Sequence, residues 1–145
     1  MNITQVLCPE PTEYDLPYII GNADGILRSI LGKDNHTGIK AFWTYIFESN
    51  FDYLLPIDRK GYSLYKAYRT ITDPNSKNDD RIFRRVALPF RCEGDMSSKR
   101  ILIIDDIIIG AHSMCSLKDD LINKYDFAPE NIQFAAYHVW TVDAC

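Results

Sequence analysis

Apolar positions recur along the chain at two different spacings, and the spacings predict its elements. From Thr37, the residues Ile39, Phe42, Trp43, Ile46 and Phe47 fall at i, i+3, i+4, i+7 and i+8, the stripe of an amphipathic helix. Its aromatic side chains read as core rather than as a platform for a ligand. Tyr53 to Ile57 (YLLPI) is a short apolar run bounded by Asp58-Arg59-Lys60-Gly61, and Leu64, Tyr68 and Ile71 return to helical spacing. That predicts strand, glycine turn, helix. Asp73-Pro74-Asn75-Ser76 ends the helix, because proline has no amide for the next turn.

Ile82 to Phe90 (IFRRVALPF) reads as a second strand with Pro89 at an edge or turn, and the polar loop RCEGDMSSK after it is of a kind that often moves. Ile101 to Ile104 is an unbroken apolar run followed by Asp105-Asp106, as in a strand buried on both faces of a parallel sheet. A helix starting at Ser113 carries the stripe Met114, Leu117, Leu121, Ile122 and Tyr125; the turn FAPEN closes it, and a strand follows at 132–140. Strand, helix and strand with short loops make a right-handed βαβ unit, so the sheet is parallel and ligands belong at the carboxyl ends of its strands. Residues 1 to 36 carry Pro9, Pro11, Pro17, Gly21, Gly25 and Gly32, which predicts irregular structure around a short helix near Ala23 to Leu31.

The 145 residues suit one domain, 1–145, able to bury roughly 68% of the surface of its unfolded chain. A net charge of −4 gives no broad positive field, which argues against general nucleic-acid binding. A local basic cluster remains, Arg81, Arg84, Arg85 and Arg91; it suits a small phosphorylated ligand or, equally, a solvated face. The four cysteines form no CxxC pair and the three histidines no zinc-ligand spacing. The N-terminus has no basic segment leading into an apolar one, and no 18 apolar residues occur in a row. The expectation is a soluble, cytoplasmic protein with reduced thiols and no membrane partner.

Two adjacent carboxylates at the end of a buried strand are costly to keep charged unless a cation or hydroxyls meet them. The plain alternative is that one caps the turn and the other is exposed. Beyond them Gly110 and Ala111 are small, Ser113 supplies a hydroxyl and a helix begins, so backbone amides converge as in a phosphate cradle.

The segment Arg100 to Met114, RILIIDDIIIGAHSM, resembles the ribose-phosphate-binding strand and loop of type I phosphoribosyltransferases: four apolar residues, two acidic, three mainly apolar, then Thr-Gly-x-Thr. Against that pattern Gly110 stands for the first threonine, Ala111 for glycine and Ser113 for the last threonine, while Ile109 holds a position often acidic or small. FDYLLPIDRKGYSLYKAY, residues 51–68, is similar to the family's first strand, pyrophosphate loop and helix; taken alone, its RKG reads as a solvated turn.

The resemblance implies an α/β fold, a type I phosphoribosyltransferase-like parallel sheet flanked by helices, with residues 51–140 as the core and 1–50 as a helical and irregular hood-like segment. The fifth strand common in the family is either missing or supplied from elsewhere. The resemblance implies that Asp105 and Asp106 hold the ribose hydroxyls and, through substrate and water, Mg²⁺. Gly110, Ala111, His112 and Ser113 would wrap the 5′-phosphate, with Ile109 just before them as a further ligand-binding position, and Arg59, Lys60, Gly61 and Tyr62 would face the pyrophosphate. Arg91 or Lys99 would close over it, and Tyr137 or Trp140 would stack on the acceptor base. The expected activity is transfer of phosphoribose from phosphoribosyl pyrophosphate to a nitrogenous base, with Asp105, Asp106 and Lys60 as the catalytic set. The alternatives are an inactive sensor of a phosphorylated ribose nucleotide, a partner-docking module, and a receiver-like domain with an acidic metal pocket. A homodimer or protein partner stays open.

Overall fold

The structure, a computed structural model, describes residues 3–5, 36–72, 79–108 and 112–139. In chain order it contains β1 (Ile3–Gln5), α1 (His36–Glu48), β2 (Tyr53–Pro56), α2 (Asp58–Ile71), a short α3 (Leu88–Arg91), β3 (Ile101–Ile108), α4 (His112–Tyr125) and β4 (Ile132–Val139). The expected helix near Ala23 to Leu31 and the turn at 73–76 lie outside the described residues.

The strands form one parallel sheet in the order β1-β4-β3-β2. Alternation along the strands divides the core in two. Leu54, Leu102, Ile104, Ala135 and Tyr137 meet Ile39, Phe42, Trp43 and Ile46 of α1 and Leu64, Tyr65 and Ala67 of α2. On the other face, Leu55, Ile101, Ile103, Ile132, Phe134 and Ala136 meet Met114, Leu117 and Leu121 of α4, together with Phe83, Leu88, Cys92 and Met96. The result is an α/β molecule with helices on both sides of a parallel sheet.

Two parts of the expected hood belong to this framework. Helix α1 is a core helix, because its five-residue apolar stripe covers the sheet, and Ile3–Gln5 pairs with Phe134–Ala136 as a further strand beside β4. The strand expected at Ile82 to Phe90 does not form. Ile82 makes one parallel bridge to Leu54, and the chain then turns into a 3₁₀ helix (Arg85–Ala87) and α3. Pro89 sits in the first turn of α3, where no amide is called on, so a residue that disfavours a strand is accepted as a helix start. The single bridge still covers the sheet edge, since Leu54 N donates to Arg81 O at 2.9 Å and Phe83 N to Leu54 O at 3.2 Å. Two residues further along β2, the next outward position is Pro56, which has no amide to leave unpaired.

Cys92 is buried and free. Cys115 is disulfide-bonded, a correction to the expectation of reduced thiols, with its partner outside the described residues. Scattered cysteines carry no pairing signal in sequence, so the fold decides. Among the described residues no helix is long and apolar enough to cross a membrane.

Candidate functional site

The chain leaves β2 through α2 on one face of the sheet and leaves β3 through α4 on the other. Two neighbouring parallel strands whose connections part in this way leave a crevice between their carboxyl ends, the place where open α/β sheets bind ligands. The start of α2 and the Asp105-Asp106 pair both lie there.

The first turn of α2 is locked onto β3. Ile57 N donates to Ile104 O at 2.7 Å and Gly61 N to Ile57 O at 2.9 Å. A Cβ on Gly61 would lie 2.6 Å from Ile104 O and 3.2 Å from the Pro56 carbonyl carbon. Glycine is therefore required for close packing inside the helix, and the expected glycine turn between strand and helix is corrected accordingly. Asp58, Arg59 and Lys60 form the same first turn; their side chains lie outside the described residues.

Strand β3 runs four residues further than its apolar run predicts. Its pairing with β2 stops at Pro56–Ile104, but β4 continues alongside as far as Ile108–Val139. Asp105 and Asp106 are thus part of the strand, in the stretch that overhangs β2. Asp105 is half-buried, falls on the face of Ile101 and Ile103 by alternation, and is engaged within the chain. For Asp106 the backbone alone is described. Helix α4 begins at His112, one residue before the predicted Ser113, which sets its N-terminus at this same end of the sheet. Ile109, Gly110, Ala111 and Trp140, with the side chains of His112 and Ser113, lie outside the described residues.

Three other expected contacts are corrected. Tyr137 is buried, edge to face against Phe42 at 5.6 Å, and is core rather than a base platform. Lys99 precedes β3, and in a parallel sheet the start of a strand lies a full strand length, about 20 Å over six residues, from Asp105 near its end. Arg91 bonds Asp80 O and stacks on Phe83, its guanidinium 5.1 Å from the ring; Asp80 precedes the Ile82 bridge, so this is also the far end. The 92–100 loop is pinned there, with Cys92 and Met96 buried and Asn131 Nδ2 donating to Ser97 O at 3.1 Å. A cavity of about 550 Å³ lined by Tyr45, Glu48, Asn50, Arg100 and Gln133 opens at that end as well, away from the aspartates.

The arginine cluster separates into different roles. Arg81 bonds Asp79 and the carbonyls of Phe47 and Ser49, and that pairing holds the Asp79 carboxyl below its ordinary value. Arg85 meets Asp120 at 3.4 Å. Arg84 is exposed, and its guanidinium lies 4.6 Å from the centre of the Tyr62 ring. Sequence spacing grouped these residues without a sign of which one is left facing solvent; the signal lies in the single bridge at Ile82, which orients the segment.

Among the described residues no group of three or more His, Cys, Asp or Glu side chains gathers around a metal position. Asp105 and Asp106 suit an ion held mostly by ligand and water oxygens with one or two carboxylates, which is how Mg²⁺ accompanies phosphate esters. In comparisons with known proteins, no family model, curated protein or solved structure matches the chain.

Proposed function

We propose that the chain is a type I phosphoribosyltransferase-like protein that binds Mg²⁺-phosphoribosyl pyrophosphate, or a phosphorylated ribose nucleotide, in the crevice between β2 and β3. One observation carries the reading: two motifs 44 residues apart, DRKG ending at Gly61 and the aspartates starting at Asp105, meet there through the contact of Gly61 with Ile104 O. In this reading Asp105 and Asp106 bind the ribose hydroxyls, the residues leading into α4 take the 5′-phosphate, and Lys60 with its neighbours takes the pyrophosphate. An acceptor nitrogen attacks C1 of the ribose as the bond to pyrophosphate breaks, and pyrophosphate leaves with the electron pair. Mg²⁺, when bound, spreads the charge of that leaving group. The protein contributes positioning and charge neutralisation.

The test is thermal unfolding with and without Mg²⁺-phosphoribosyl pyrophosphate. Ligand at about 100 times its dissociation constant adds about 2.7 kcal/mol, a rise of several degrees in Tm, and Asp105→Asn with Asp106→Asn removes it. No shift at millimolar ligand overturns the proposal. A shift without pyrophosphate release, over a panel of purine, pyrimidine and orotate acceptors, identifies a sensor instead.

A further inference from the structure

The cavity of about 550 Å³ at the end of the sheet away from the aspartates lies where the last turn of α1 passes over the starts of β3 and β4. Leu102 and Ile104 of β3 and Ala135 and Tyr137 of β4 face α1, so by alternation Gln133 takes the next position on that face toward the cavity. Phe51 and Leu102, both buried, give the cavity an apolar floor, and Tyr45, 56% exposed, stands beside it. Arg100 is fixed at its edge. Asp52 N donates to Arg100 O and Arg100 N to Asp52 Oδ2, each at 2.9 Å. The guanidinium lies 4.4 Å from the centre of the Phe51 ring, and its Nη1 donates to Asn50 Oδ1 at 2.6 Å.

Most of the polar groups around this space are unspent. The Ser49 hydroxyl is taken by Ile46 O at 2.5 Å, but among the described residues no ion pair reaches Arg100, and neither the Glu48 carboxylate nor the Gln133 amide has a partner. A cation and an anion thus line one cavity without meeting each other, on either side of an apolar floor. A ligand that carries both charges can satisfy both. The guanidinium fork matches the two oxygens of a carboxylate, and its ring support and Asn50 bond reduce the ordering cost when that carboxylate arrives. We propose that this cavity binds a free α-amino acid with an apolar side chain. Its carboxylate meets Arg100 and Gln133, its ammonium meets Glu48, and its side chain covers Phe51 and Leu102 beside Tyr45. The cavity is of a size that takes small molecules, and the inference does not depend on the ribose-phosphate reading of the opposite end.

The probes are L-leucine and L-phenylalanine at millimolar concentration, with 3-phenylpropanoate, which lacks the ammonium, as the control, each measured by calorimetry on the full chain. Both amino acids bind. Arg100→Gln weakens them about tenfold, the scale of one charged hydrogen bond, and Arg100→Lys recovers part of the loss. Glu48 is exposed, so Glu48→Gln costs less, about threefold; it removes no contact within the chain and folds as the parent does. 3-Phenylpropanoate binds the parent more weakly than phenylalanine and is indifferent to Glu48→Gln. No binding of either amino acid overturns the inference, as does an affinity unchanged in both Arg100→Gln and Glu48→Gln, or 3-phenylpropanoate binding as tightly as phenylalanine. Binding that Asp105→Asn with Asp106→Asn removes and Arg100→Gln does not moves the amino acid to the other end of the sheet and overturns it too.

Discussion

A methyl group at Gly61 sets two effects against each other. In an open helix, alanine is favoured over glycine by about 1 kcal/mol. Here the added carbon would meet backbone atoms of β3 and β2, at 2.6 Å and 3.2 Å, neither of which can rotate away. Overpacking of that kind costs about 1 to 3 kcal/mol, and it adds to the loss of the Ile57–Ile104 hydrogen bond as α2 lifts. Gly61→Ala is therefore expected to lower Tm by about 3 to 10 °C; a raised Tm in calorimetry would show that the helix has room. At this scale the sequence was partly legible. It named Gly61 and the aspartates, since glycine and paired acids stand out by type. It assigned Gly61 to a turn because the reason for a missing Cβ, a carbonyl of a strand more than 40 residues away, has no local trace.

The end of α1 illustrates how one side chain can finish an element. The last carbonyls of a helix lack intrahelical partners, and Arg81 supplies donors to Phe47 O at 2.7 Å and Ser49 O at 2.6 Å, with Phe51 O at 3.2 Å just beyond. Asp79 fixes the fork through two further bonds, at 3.0 Å and 2.8 Å. The bonds from Arg81 hold the Asp79 carboxyl below its ordinary 3.8. A depressed folded value means that this contribution to stability is complete above pH 3.8 and lost as pH falls through the lower folded value. Arg81→Met is expected to cost about 1 to 3 kcal/mol at neutral pH and less near pH 3. Urea unfolding at both pH values checks this, and an equal cost at the two would detach Asp79 from the effect. Elements with strong periodicity, α1, α2, α4, β3 and β4, were legible from the sequence. Ile82 to Phe90 was not, because a run with Val86 and Leu88 satisfies strand spacing while hydrogen bonds to Leu54 alone decide how far pairing extends.

Over the whole molecule, two cores share one sheet, and Cys92 reports on the one beneath α4. Burial pushes its thiol up to about 11, with Arg91 opposing. The raised value keeps it protonated through the neutral range; its contribution to stability is complete below the ordinary 9.0 and is lost as pH rises from there through the folded value. Alkylation at pH 8, followed by peptide mapping, should find Cys92 protected in the native protein and modified at the rate of global opening. Labelling as fast as in urea would place it outside the core. The parallel order was legible at this scale from the βαβ pattern, and with it the far-end position of Lys99, since a residue just before a strand lies at the opposite end from the residues that close it. The bridged edge of β2 bears on how copies of the chain meet. A bare edge strand is a template on which a second molecule can extend the ladder, but here Arg81–Phe83 fills the exposed register at Leu54 and Pro56 withholds the next amide. On that side, crowded molecules meet side chains rather than open backbone, which removes one route from concentrated solution to fibrous aggregate.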